Sequence, residues 1–135
     1  MSAPSEVVPG VSEFGEAMAE LLYDDERCLG AVLSDRLGDP IDTAYRSDTD
    51  PLDIQLAGAQ IGQAADRVRR DSVLYGLADP RRPQAIVCHC ARGLILVAPI
   101  LHEYAMTLLM TPGSEWEDTL PTFEATAGLL QELLR

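Results

Sequence analysis

Three residues that can bind a metal or act in catalysis stand together in the tripeptide Cys88-His89-Cys90. Successive side chains of a strand point to opposite faces, so Cys88 and Cys90 share one face and His89 lies on the other. Three such ligands do not converge on a tetrahedral zinc ion, whose protein sites use a Cys-x-x-Cys turn and a second pair. A nucleophilic thiol needs a base beside it, which His89 does not provide. We therefore expect buried or interface thiols, and no metal.

The remaining sequence contains no motif of a nucleotide-binding or hydrolytic enzyme. It has no phosphate-binding loop, no dinucleotide fingerprint and no pair of carboxylates at catalytic spacing, so we expect no catalytic residue and no cofactor. The densest basic group is Arg67, Arg69 and Arg70. These arginines suit the end of a helix, where positive charge interacts favourably with the helix dipole. The alternative is that they contact an acidic surface of a partner protein.

The chain is strongly acidic. Its 135 residues carry a formal net charge of −12, and all ten basic residues are Arg. Such a surface repels phosphate backbones and anionic lipids, which argues against binding to nucleic acid or to a membrane surface. With 47% hydrophobic and 24% charged residues, the composition is that of one globular domain with a core of its own.

The sequence further predicts a cytoplasmic protein without membrane insertion. Residues 1–10 lack the basic and apolar regions of a secretory signal. No segment approaches the roughly 20 apolar residues that a membrane helix needs. Three cysteines, an odd number, fit reduced thiols in the cytosol.

Apolar spacing and turn residues divide the chain into a tail, three helices and five strands. Residues 1–11 are predicted to be a flexible N-terminal tail, and residues 12–135 a single domain. Ser12 is the expected N-cap of the first helix, and Ser114 with Glu117 forms a capping box for the last. The predicted helices cover about 12–26, 51–74 and 114–135, and the strands about 28–34, 41–46, 85–90, 94–101 and 104–110.

Gly58 and Gly62 lie one turn apart in the second predicted helix. A glycine costs about 1 kcal/mol relative to alanine inside a helix, so close approach of another backbone is expected to offset it. Two alternatives fit this spacing. The helix packs against the chain's own sheet, or it packs against a second helix across a two-fold axis.

Two predicted strands, 28–33 and 94–101, are apolar at nearly every position. This pattern indicates that both faces of the sheet are covered, with the second helix on one face and the other two helices on the opposite face. The strand that contains Cys88-His89-Cys90 is shorter and more polar, as is typical of a sheet edge. An uncovered edge tends to pair with another chain.

The order of these elements and two sequence blocks resemble the roadblock/LC7 domain, an α+β protein of the profilin-like fold. The first block is Gly30-Ala31-Val32-Leu33, followed by the turn Asp35-Arg36-Leu37-Gly38. The second block is the Gly-led strand that ends near Pro99, followed by the apolar strand at 104–109. The resemblance covers residues 12–135 and implies a five-stranded antiparallel sheet with helices on both faces.

The resemblance also implies a non-catalytic protein that forms a homodimer or a heterodimer with a paralogue. In this family the middle helix and the third strand form the two-fold contact, which implies an interface at Gly58, Gly62, Ile86, Cys88 and Cys90. The implied function is to bind or regulate a small Ras-like GTPase, or to act as a scaffold in its complex. The alternatives are an acidic, dimeric secretion-type chaperone that binds an effector segment, and a ligand-sensing or metal-dependent enzyme of similar topology.

Overall fold

A computed structural model describes residues 5–74, 85–91, 93–101 and 103–135. In chain order the elements are β1 (Val7–Val8), α1 (Glu13–Asp24), β2 (Cys28–Asp35), β3 (Pro40–Arg46), α2 (Pro51–Leu74), β4 (Ile86–Cys90), β5 (Gly93–Ile100), β6 (Tyr104–Met110) and α3 (Trp116–Leu134). The strands form one antiparallel sheet in the order β1-β3-β2-β6-β5-β4. The predicted α+β class is therefore confirmed.

In the described ranges the sheet has six strands, where five were predicted. The additional strand, β1, lies in the segment that we predicted to be part of the N-terminal tail. It pairs with β3 in the register Val7↔Arg46 and Val8↔Tyr45, and Ser47 donates a backbone hydrogen bond of 2.7 Å to Glu6. Two residues are too few to show an alternating pattern, so only the pairing with β3 identifies this strand.

The helices cover both faces of the sheet as expected. Helix α2 packs on one face, against β2, β3, β5 and β6, whereas α1 and α3 pack on the other. The larger core lies between the sheet and the α1/α3 layer. Its largest fully buried side chains include Met18, Leu22, Leu33, Leu96, Leu108 and Phe123.

Strand β3 holds the N-terminus of α1 through Asp42. The carboxylate of Asp42 accepts hydrogen bonds from the backbone N–H groups of Val11 (3.2 Å), Ser12 (2.8 Å) and Gly15 (3.1 Å), and from the Ser12 hydroxyl. Burial raises the pKa of Asp42, but these hydrogen bonds outweigh it and lower the pKa. Ser12 is the N-cap residue, as predicted, but its side chain makes no cap hydrogen bond, so Asp42 caps the helix instead.

The same strand holds the C-terminus of α1 through Arg46. This side chain is buried and donates to the backbone carbonyls of Leu22 (2.6 Å), Asp25 (3.0 Å), Cys28 (2.7 Å) and Ser5 (3.1 Å). A positive charge at a helix C-terminus interacts favourably with the helix dipole. Asp42 and Arg46, both on β3, thus satisfy both ends of one helix.

A second polar group joins the end of α1 to α3. Asp25 accepts a hydrogen bond of 2.9 Å from the Arg27 guanidinium and one of 2.6 Å from the Thr119 hydroxyl. The Arg27 hydrogen bond lowers the pKa of Asp25 to about 2, against a smaller opposing effect of burial.

The capping box predicted for the last helix is wrong. The Ser114 hydroxyl donates to the Thr111 carbonyl at 2.7 Å, which tightens the turn before the helix. Helix α3 begins at Trp116, and its N-cap residue Glu115 makes no side-chain cap hydrogen bond.

Candidate functional site

Strand β4 lies at the edge of the sheet, as its polar sequence predicted. It pairs with β5 in the register Ile86↔Val97 and Cys88↔Ile95, and no described strand lies on its outer side. Ile86 and Cys88 are half-buried and Cys90 is exposed. The backbone of β4 is therefore available to pair with another strand along this edge.

A small apolar cluster lies beside this edge, under α2. Its buried members are Ala65, Ile95 and Val97. Val68 follows Ile61 by two helical turns, so it lies on the same side of α2, and it is 55% exposed. We define the open patch as the partly covered apolar residues here: Ala57, Ile61, Val68, Ile86 and Cys88. The open patch is therefore a partly exposed apolar surface beside β4.

Gly58 and Gly62 face the chain's own sheet, the first of the two alternatives. A Cβ added at Gly58 would lie 2.6 Å from Val32 Cγ1 and 3.0 Å from Ser34 Oγ. A Cβ added at Gly62 would lie 3.5 Å from Ala105 Cβ, an ordinary contact. The prediction that these glycines meet a second helix is corrected accordingly, because both positions point inward. The outward side of α2 is formed by other residues.

Arg67 and Arg70 are exposed and line an open cleft with a volume of about 400 Å³ between α2 and the sheet. The cleft is also lined by Ser34 and Arg36, which the sequence analysis did not single out. These two residues are distant from α2 along the chain, and no local pattern connects them to it. The side chain of the third predicted contact residue, Arg69, lies outside the described part.

The thiols of Cys88 and Cys90 are 3.8 Å apart on one face of β4. Burial, together with the contact to Cys90, raises the pKa of Cys88, and burial raises the pKa of Cys28 to about 12. A raised pKa leaves little thiolate at neutral pH, and the thiolate is the nucleophile and the metal ligand. In the described residues, no three His, Cys, Asp or Glu side chains form a group that could hold a metal ion.

Of the helices within the described ranges, none has the length and apolar character needed to cross a bilayer.

No protein-family model matches this chain, and no curated protein sequence matches it. Solved structures do match it. A structure titled "MglB with tetrameric arrangement" is 17% identical with a TM-score of 0.73, and the match covers 98% of this chain and 90% of that one. The gliding protein MglB from Thermus thermophilus is 17% identical with a TM-score of 0.72, over 98% of this chain and 91% of that one.

A third similar structure is a roadblock/LC7 domain from Streptomyces avermitilis. It is 14% identical with a TM-score of 0.69, and the match covers 88% of this chain and 95% of that one. These likenesses extend over nearly the full length of each chain, so they concern the whole arrangement of sheet and helices.

Proposed function

The chain has the roadblock/LC7 fold, and we propose that it is a non-catalytic dimer that binds a small Ras-like GTPase or acts as a scaffold in its complex. The observation that carries this proposal is the open patch beside the edge of β4 that no described strand pairs with. A second copy placed there would extend the sheet through β4 and cover the exposed apolar side chains of α2. Burying such apolar surface favours association.

The proposed interface retains Ile86, Cys88 and Cys90 from the sequence prediction and adds the apolar residues of α2 next to them. Ile61 and Val68 take the place of Gly58 and Gly62, which lie on the side of α2 that faces the sheet. A neighbouring structure is titled as a tetrameric MglB, which describes assembly in that protein.

Binding of a GTPase is proposed from the resemblance in sequence and from the fold. Arg67, Arg69 and Arg70 remain the predicted contact residues, because a basic group in a chain with a net charge of −12 can attract an acidic surface. The proposed site of action is the cytoplasm.

The dimer is tested by placing a charge in the open patch. Val68→Glu should convert a dimer to a monomer in sedimentation experiments, because it buries an unpaired carboxylate in the interface. Leu129→Glu is the matched control, since Leu129 is 50% exposed on α3 and Val68 is 55% exposed on α2. A dimer that survives Val68→Glu but dissociates with Leu129→Glu would place the interface on the other face.

The GTPase is tested by affinity capture from the native cell, once with GDP and once with a non-hydrolysable GTP analogue. The proposal expects a folded, nucleotide-binding protein that then binds directly in purified form. Capture of an extended segment of a secreted effector would instead support the chaperone alternative.

A further inference from the structure

The cleft between α2 and the sheet has a buried polar floor. Ser34 lines the cleft, is 1% exposed, and its hydroxyl has no hydrogen-bond partner among the described residues. Buried polar side chains nearly always have a partner, so an unpartnered hydroxyl in a cleft indicates a place for a ligand or an ordered water molecule.

Gly62 keeps this cleft open at the cost of helix stability. Gly58 is required for packing, because a Cβ there would lie 2.6 Å from Val32 Cγ1. Gly62 is not, because a Cβ there would make only an ordinary contact of 3.5 Å with Ala105. Alanine is the better helix former and would fit the space. Packing therefore does not explain the glycine, whereas a requirement for room in the cleft does.

The rim of the cleft is basic, although the chain is acidic. Arg36 and Arg67 are both exposed on this rim, one from the sheet side and one from α2, and Arg70 lies one turn beyond Arg67. The carboxylates of Asp35 and Glu103 also line the cleft. One oxygen of Asp35 is already hydrogen-bonded to backbone N–H groups of its own turn, at 2.9 Å and 3.0 Å.

We propose that this cleft binds an oxyanion of a small molecule, a phosphate or a carboxylate. The Ser34 hydroxyl donates a hydrogen bond to the oxyanion, and the guanidinium groups of Arg36 and Arg67 neutralise its charge. Guanidinium groups match the geometry of both oxyanions with two parallel hydrogen bonds. A cavity of about 400 Å³ is of the size that holds a small organic ligand. The site lies inside one chain, so it does not depend on the proposed dimer or GTPase.

The test is a titration of the full chain with inorganic phosphate, followed by NMR of the backbone amides, with sodium chloride at equal ionic strength as reference. Saturable shifts near residues 34–38 and 62–67 are expected with phosphate and not with chloride. A parallel titration with succinate distinguishes a phosphate ligand from a carboxylate ligand. Saturable binding of either anion supports the site, and the anion that binds with the higher affinity identifies the preferred oxyanion. Shifts that follow ionic strength alone would overturn the proposal, and an ordered water molecule would then be the partner of the Ser34 hydroxyl.

Four variants locate the binding. Ser34→Ala and Arg67→Gln should each lower the affinity for the anion about tenfold, which is the effect of losing one hydrogen bond to a charged group. Gly62→Ala should weaken it while the melting temperature stays the same or rises, which separates loss of the site from loss of the fold. Arg135→Gln, at an exposed arginine outside the cleft, is the control and should change nothing. Equal affinities in all four variants would overturn the assignment.

Discussion

On the face of the sheet that carries α1 and α3, buried polar side chains are saturated with hydrogen bonds. Asp42 accepts bonds from three backbone N–H groups at the start of α1, and Arg46 donates to four carbonyls around its end. On the α2 face, Ser34 and Thr107 are equally buried, yet neither hydroxyl has a partner in the part of the chain that is described.

The difference separates two uses of polar groups in one small domain. The satisfied groups fix the position of α1 and therefore serve folding. The unpartnered hydroxyls lie on the face that carries α2 and the open patch. Since an unsatisfied buried group costs stability, its natural interpretation is a site that something else completes.

The strongest way to break this comparison is Arg46→Met. The variant keeps much of the side-chain volume but removes the donors from four carbonyls, so we expect the free energy of unfolding to fall by about 4 kcal/mol. Urea denaturation measures the loss. The control Arg135→Met, at an exposed position, should lower it by less than about 0.5 kcal/mol. Similar losses for the two variants would show that the β3 anchor is not what holds α1.

A glycine pair sharpens the description of the α2 face. Gly58→Ala forces a Cβ to 2.6 Å from Val32 Cγ1, and we expect a loss of about 2 kcal/mol in unfolding free energy. Gly128→Ala in α3 meets nothing within 4 Å and should gain about 0.5–1 kcal/mol from helix propensity. Chemical denaturation of both variants decides the point. A gain at both positions would mean that α2 does not pack closely on β2.

Two buried threonines, one on the α1/α3 face and one on the α2 face, allow a direct comparison of the two faces. Thr119, 3% exposed, donates a hydrogen bond of 2.6 Å to Asp25, whereas the hydroxyl of Thr107, 0% exposed, has no described partner. Replacement by the isosteric Val should cost about 1.5 kcal/mol at Thr119, because a bond to a charged group is lost there. At Thr107 it should leave the stability unchanged or raise it, because an unpartnered buried hydroxyl is removed. Thermal unfolding of the two variants measures this difference. Destabilisation by Thr107→Val would show that its hydroxyl is satisfied, for example by water.

Much of the fold could be predicted because its signals are local. The Asp-x-x-Gly turn between β2 and β3, the start of α2 at Pro51 and the edge position of β4 each follow from a few adjacent residues. The turn has the expected form, with Asp35 accepting the N–H groups of Leu37 and Asp39 and with Gly38 at a positive φ of 88°. The family resemblance, confirmed for the fold, rested on these same local patterns.

The features that escaped prediction depend on contacts between distant residues. Asp42 caps a helix that begins some thirty positions earlier, and nothing in the residues beside it indicates this. The site shows the same limit, since Ser34 and Arg67 line one cleft only after the sheet and α2 have packed. The sequence could state two alternatives for Gly58 and Gly62, but only the packed structure distinguishes the sheet from a second helix.

The smallest expected effect is a pH dependence of the unfolding free energy that arises from Asp25 on the α1/α3 face. The pKa of Asp25 falls from 3.8 to about 2 in the folded chain, mainly through the Arg27 hydrogen bond. The ionised Asp25 carboxylate therefore stabilises the fold fully at pH values above 3.8, its pKa in the unfolded chain. This stabilisation is lost as the pH falls towards about 2, its pKa in the folded chain. The gap in unfolding free energy between wild type and Asp25→Asn should shrink by about 1 kcal/mol, after allowance for solvent screening, between roughly pH 4.5 and pH 2. Urea titrations across that range measure the gap, and a gap independent of pH would mean that ionisation of Asp25 does not stabilise the folded state.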